Sequence, residues 1–229
     1  MAIKIQSTAD FGVDGVKVVV YGASGVGKTR LATTASDCII LSAEKGLLSL
    51  KKDNIPYIEI SRPKDVDEAY KFLKADKEYQ TIFLDTISEI GEVLLTDFLL
   101  TGGPDGTPVK DGRQAYRMMA EAMMPMIRKF RDLPGKNIVF LAKMEVKEDE
   151  ENGIMMYRPM IPGQVIKNQL PYMFDGLWNM DIQKDKDKND VAVFQCTATR
   201  GRYCKDRSGN LEMYERPDID TIFGKARGE

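Results

Sequence analysis

The chain has 229 residues, 43% of them hydrophobic, which suits one mid-sized soluble domain with a substantial buried core. Its 33 basic and 35 acidic residues leave a net charge near −2, too little for tight nucleic-acid binding by bulk charge alone. No histidine is present, which excludes histidine-based acid–base chemistry and histidine metal sites, and three scattered cysteines, Cys38, Cys196 and Cys204, read as reduced cytosolic thiols.

In chain order, Met1 to Phe11 is too polar for a signal peptide, and no apolar run is long enough to cross a membrane. A soluble, cytoplasmic protein is expected, one domain over 1–229 with a short N-terminal segment 1–15. Val16 to Tyr21 is apolar and β-branched, the pattern of a strand buried on both faces. A glycine-rich turn follows, then a helix predicted over Lys28 to Ala35. Cys38 to Ser42 and Thr81 to Asp85 read as further buried strands, with a weaker strand at Tyr57 to Ile60 between them. Val66 to Ala75, preceded by Pro63, and Ile87 to Phe98 read as helices.

Thr101 to Gly112 is rich in glycine, proline and aspartate and is expected to be a loop. Arg113 to Leu133 is the longest helical pattern, and Pro125 is expected to kink or restart it. Its methionines, Met118, Met119, Met123, Met124 and Met126, read as core filler. Asn137 to Ala142 is another buried strand, followed by a charged, proline-containing stretch from Lys143 to Gly163. A β-meander and tail occupy about 176–229, with strands at Leu177 to Ile182 and Val191 to Thr199 joined by the charged tip Lys184 to Asp190. Apolar strands alternating with helices predict an α/β fold with a mostly parallel sheet, and antiparallel strands at the C-terminal edge.

One motif carries chemistry. Gly22, Ala23, Ser24, Gly25, Val26, Gly27, Lys28 and Thr29 match G-x-x-x-x-G-K-[ST] in full, between a strand and a helix. In this phosphate-binding loop successive N–H groups face phosphate oxygens. The lysine reaches the β- and γ-phosphates and the hydroxyl binds Mg2+. Arg30 follows directly and joins the nucleotide-binding candidates. ATP and Mg2+ are therefore the expected ligands. Asp85, at the end of an apolar strand, suits a carboxylate that holds Mg2+ through water, although Asp85-Thr86 also reads as a helix cap. Glu44, just past the strand Cys38 to Ser42, is placed to orient an attacking water or is an ordinary surface glutamate.

The order of these motifs resembles the RecA-like ATPase core. A P-loop is followed by Ser42-Ala43-Glu44, by Asp85-Thr86, by a loop, and by the methionine-rich helix beginning Arg117-Met118-Met119. More closely it is similar to compact phage-encoded RecA-like single-strand annealing proteins, the RecA-like branch of the Sak group, on the strings Lys17 to Ala32 and Lys205-Asp206-Arg207. The resemblance implies DNA recombination in a bacterial host cytoplasm. It implies single-stranded DNA and further copies of the chain, as ring or filament, as partners, with a single-strand binding protein as a candidate.

The resemblance also assigns roles. Glu44 would polarise the attacking water. Lys143 stands where the family commonly has a glutamine that senses the γ-phosphate. Lys205 and Arg207 would touch a neighbouring subunit's ATP, although Asp206 to Asn210 is equally good turn chemistry. Two loops would face DNA, the first with Lys110, Arg113 and Arg117, the second with Lys147, Arg158, Lys167 and the ring of Tyr157. Against the second stands the acidic run Glu148-Asp149-Glu150-Glu151. The alternatives are a nucleotide-gated mediator without essential hydrolysis, and a P-loop kinase, for which the arginine-rich lid is missing.

Overall fold

The computed structural model describes residues 14–102 and 106–229, so the readings of Met1 to Phe11 and of 103–105 lie outside the described residues. Ten strands form one sheet: β1 (Lys17–Gly22), β2 (Cys38–Ser42), β3 (Tyr57–Glu59), β4 (Thr81–Asp85), β5 (Asn137–Asp149), β6 (Ile154–Met160), β7 (Gly176–Lys184), β8 (Asp190–Gln195), β9 (Lys205–Asp206) and β10 (Tyr214–Glu215). Among the described residues five α-helices accompany them: α1 (Pro63–Ala75), α2 (Ile87–Thr101), α3 (Gly112–Arg131), α4 (Gln164–Met173) and α5 (Ile219–Arg227). The strand order is β10-β8-β7-β1-β5-β4-β2-β3, with β6 paired to β5 and β9 to β7. Strands β7, β1, β5, β4, β2 and β3 run parallel, while β8, β10, β6 and β9 pair antiparallel. This is an α/β fold with a mostly parallel sheet, helices on its faces and antiparallel strands at one edge, as expected for a P-loop NTPase core.

The apolar strands are buried on both faces because two cores use alternate residues of each strand. Val19, Leu41, Leu84 and Phe140 pack under α1 to α4. Val18, Ile40, Phe83 and Leu141 pack with Trp178, Phe194 and the α5 residues Ile222 and Phe223 on the other side. Met119, Met123 and Met126 are buried in the first core, and Met118 and Met124 pack against it. Met123→Ala is expected to cost about 2–4 kcal/mol, and Met123→Leu under about 1.5 kcal/mol, because leucine nearly conserves volume. Urea or thermal unfolding of the two variants measures the difference.

Four local readings change. The segment after the P-loop is a six-residue 3-10 helix, Thr29–Thr34, rather than an α-helix to Ala35. Thr33 and Thr34 donate their hydroxyls to the carbonyls of Arg30 and Leu31, three residues back, and so compete with α-type backbone bonding. Helix α3 runs through Pro125 as one 20-residue element, started by the Asp111 side chain accepting from Arg113 N. The charged stretch after Ala142 is no loop: β5 continues to Asp149 and turns back as β6, so Lys143 to Met160 is largely a hairpin. Glu148 and Asp149 close β5, and Glu150 and Glu151 begin the turn at the tip. At the other edge β8 ends at Gln195, short of Thr199, and the Lys184 to Asp190 tip is the expected hairpin turn, closed by a Lys184–Asp190 ion pair at 2.7 Å.

Candidate functional site

The ends of β1, β2 and β4 meet at one rim of the parallel sheet, beside the middle of β5, where such a fold collects its ligand-binding groups. The loop Gly22 to Thr29 leaves β1 there. Gly25 and Gly27 have φ of +82° and +99°, a backbone that side chains other than glycine rarely adopt and that lets this loop curl. The Lys28 ammonium donates to the Gly22 and Ala23 carbonyls at 3.0 and 2.8 Å, folded over the loop it is to complete. Burial lowers its pKa, partly offset by the carboxylates of Glu44 and Asp85.

Asp85 closes β4. That strand is not the immediate neighbour of β1, since β5 lies between them, yet Thr29 Oγ1 donates to Asp85 Oδ2 at 2.8 Å. The other carboxylate oxygen, Oδ1, is buried with no hydrogen-bond partner, and so is the hydroxyl of Ser42 on β2. An unpartnered carboxylate oxygen beside a hydroxyl, facing a lysine-bearing glycine loop, fits Mg2+ with nucleotide. No cluster of three or more carboxylate, thiol or imidazole groups able to hold a metal occurs among the described residues. The residues present therefore fit the pair, with Thr29 and Asp85 as the magnesium side and Lys28 and the loop amides as the phosphate side.

Burial raises the Asp85 pKa to about 6, the Thr29 hydrogen bond opposing the shift, with Glu44 adding to it and Lys28 working against it. The sign follows from linkage. The folded chain holds this proton more tightly than the unfolded one, so Asp85 favours folding at acid pH and that advantage disappears as pH rises through about 6. Asp85→Asn is accordingly expected to stabilise the protein at pH 7 by on the order of 2 kcal/mol, or about 5 °C, and much less at pH 4.5, while removing magnesium-dependent nucleotide binding. Melting curves of both proteins at the two pH values check it.

Glu44 stands just beyond β2, its backbone N–H donating to the Asp85 carbonyl at 3.3 Å. Its Oε1 lies 3.3 Å from Lys143 Nζ and accepts from Thr86 Oγ1 at 3.4 Å. Lys143 is in register with Gly22 on β5, so the strand placed between β1 and β4 delivers it to the centre of the site. The Lys143 ammonium also donates to Glu89 Oε2 at 2.6 Å. Its pKa is raised first by that bond and also by Glu44. Lys28, Thr29, Asp85, Glu44 and Lys143 are thus brought together. Two neighbours were missed, Glu89 and the unpartnered Ser42. Thr86-Ile87-Ser88-Glu89 has the spacing of a helix-capping box, which gave no reason to look for a site residue.

The other candidates lie elsewhere. Arg30 turns away from the loop, donating to the Ser49 carbonyl at 2.8 Å, with Asp53 at 3.7 Å. Lys205 lies in β9 and Arg207 directly follows it, and β9 pairs with Gly176 and Leu177 at the start of β7, the end of the sheet opposite this chain's P-loop. Lys205 donates to the Pro171 and Phe174 carbonyls, and Arg207 pairs with Asp175 at 3.0 Å, which is turn and helix-end chemistry within one chain.

Lys110 and Arg113 are exposed before and at the start of α3, and Arg117 is 3.7 Å from Glu121. On the hairpin, Lys147 is exposed. Arg158 and Lys167 both pair with Glu145. The Tyr157 ring is covered by the Arg202 guanidinium, 4.6 Å from its centroid, and Tyr157 opposes Val146 whereas Arg158 opposes Glu145. Successive strand residues point to opposite faces, so Tyr157 and Arg158 do not share one.

Strand order, glycine loop and Thr29–Asp85 contact are those of a P-loop nucleotide-binding core. The chain belongs to the family described as "AAA domain", whose model matches residues 14–208. No curated protein matches the chain. No described helix is long and apolar enough to cross a membrane.

Proposed function

We propose that the protein is an ATP-dependent DNA recombination protein that binds single-stranded DNA as an oligomer and promotes annealing or pairing of strands in the cytoplasm. The observation that carries the reading is Lys143. It sits in the nucleotide site against Glu44, and the same strand runs on without interruption into the β5–β6 hairpin bearing Lys147 and, on β6, Arg158. A change at the γ-phosphate position therefore has a continuous strand to an element that exposes Lys147, with the acidic run Glu148 to Glu151 at its tip. The sequence resemblance to RecA-like annealing proteins supports the choice of DNA as partner.

In this reading the loop amides and Lys28 hold the triphosphate, and Thr29 and Asp85 hold Mg2+, which supplies charge neutralisation at the phosphates. Glu44 accepts a hydrogen bond from the attacking water and orients it. Lys143 contacts the γ-phosphate when its carboxylate partners release it. Lys205 and Arg207 serve a neighbour's nucleotide if the far end of the sheet packs on the next subunit's rim. Lys110, Arg113, Arg117, Lys147, Arg158 and Lys167 meet the DNA backbone, with Arg202 first leaving the ring if Tyr157 is to stack. A single-strand binding protein is a natural further partner.

The test is gel-shift titration with poly-dT, with and without Mg-ATP, beside the ATPase rate and electron microscopy of the mixture. Salt-sensitive binding strengthened by ATP, turnover raised by DNA, and rings or filaments are expected. Absence of binding at low salt by the assembled protein overturns the DNA reading but leaves the ATPase standing. One observation favours a second reading, a nucleotide-gated mediator without essential hydrolysis: the Lys143 ammonium stands 3.3 Å from Glu44 Oε1 and partly neutralises the carboxylate that hydrolysis would use.

A further inference from the structure

Glu89 places a carboxylate beside the site for which the chemistry above has no task. It occupies the first turn of α2, and its backbone N–H donates to the Thr86 side chain at 3.2 Å. In a reciprocal capping box the glutamate carboxylate turns back to the backbone N–H of the capping residue. Here it takes the Lys143 ammonium at 2.6 Å instead, from a strand 54 residues further along the chain. The same ammonium is 3.3 Å from Glu44, so one cation stands between two carboxylates and closer to Glu89. The Thr86 hydroxyl is fixed as well, since it accepts from Glu89 N and donates to Glu44. Lys143 and Thr86 both fall on Glu44 Oε1, and Oε2 has no hydrogen-bond partner among the described residues.

We infer that Glu89 is a positioning residue for ATP hydrolysis: it anchors Lys143 against α2, so that Glu44 keeps an oxygen free to orient the attacking water. The inference rests on the reading of Glu44 as the water-orienting group. Without the Glu89 charge, the attraction of Glu44 alone draws the ammonium closer than its present 3.3 Å. A carboxylate so paired is a weaker acceptor, because its charge is already neutralised. The lysine is at the same time withheld from the γ-phosphate. Glu89 thus sets how one cation is divided between restraining Glu44 and serving the nucleotide.

Glu89→Gln tests this, since the backbone N–H of residue 89 still donates to the Thr86 side chain and the start of the helix is kept. The variant is expected to melt like the parent and to lose about tenfold in kcat, with KM for Mg-ATP within about twofold, a fraction of what a direct proton-transfer group contributes. Glu89→Asp, which keeps the charge, should recover part of the rate. In a Lys143→Met background, Glu89→Gln should change the residual turnover no further. An unchanged kcat, or the same drop without Lys143, overturns the proposal. A crystal structure of Glu89→Gln gives a readout independent of turnover. Lys143 Nζ should move from 3.3 Å to within 3 Å of Glu44, and a lysine that stays on Gln at position 89 overturns the proposal. If the parent protein turns over no ATP, the reading of the site fails and the proposal falls with it, whereas turnover abolished by Lys28→Ala leaves that reading intact and the Glu89 variants decide the inference alone.

Discussion

Lys28→Ala is expected to lower kcat/KM for ATP by roughly 10³-fold, the scale on which removing a preorganised charge from a developing phosphate or oxyanion acts. Thermal stability should barely change. The Lys28 side chain makes its contacts with two carbonyls of its own loop, and its pKa is lowered chiefly by burial. A lysine whose folded-state pKa is depressed carries its charge at the expense of folding at neutral pH, so truncating it removes a desolvated cation rather than a brace. The loop amides remain, so weak nucleotide binding survives and turnover does not. Lys28→Arg should also fail. The planar guanidinium cannot occupy a point-charge position 3.0 and 2.8 Å from the Gly22 and Ala23 carbonyls. Steady-state phosphate release and calorimetric titration with Mg-ATP check both variants. Parental turnover in Lys28→Ala would remove the basis for every assignment at this rim.

Much of this site was legible in the sequence because its parts are local. The P-loop is one contiguous string, and its glycines are required by positive φ at Gly25 and Gly27. Asp85 and Glu44 stand at the ends of apolar runs, and in a parallel sheet such ends converge. The long-range pairings left no comparable trace. Nothing in Lys143-Met144-Glu145 says that β5 inserts between β1 and β4 and brings the lysine level with Gly22, and nothing in Thr86 to Glu89 says which cation that glutamate takes. Charge misled once. The run Lys143 to Asp149 reads as a loop because five of its seven residues are ionisable, but in the hairpin Glu145 is matched by Arg158 across the strand pair and by Lys167 from α4. Cross-strand pairing of this kind stabilises a strand whose composition alone argues against one. The 3-10 helix after Lys28 errs the other way: helical spacing is present, but two threonine hydroxyls bond the carbonyls that an α-helix would use.

Glu44→Gln separates the two functional readings and carries the second large effect. Glutamine keeps the shape of the side chain and can still accept from Thr86, so nucleotide affinity should stay within about twofold of the parent. It cannot hold a negative charge against Lys143 or accept a proton from water, so kcat should fall roughly 10²- to 10³-fold. The loss of the charge also releases Lys143 to Glu89 alone, which lies nearer already, at 2.6 against 3.3 Å. If hydrolysis drives release, the variant loads onto single-stranded DNA with ATP and stays there, and annealing stalls after one round. If the protein is a gated mediator, the variant anneals or loads as the parent does, because binding alone moves Lys143 and the hairpin behind it. Single-turnover hydrolysis, DNA dissociation rates and annealing of complementary strands, measured on one preparation, distinguish these outcomes. A variant that hydrolyses ATP at the parental rate would place the water-orienting group elsewhere at the rim. Glu89 would then be the first carboxylate to test, since it is the other partner of the same lysine.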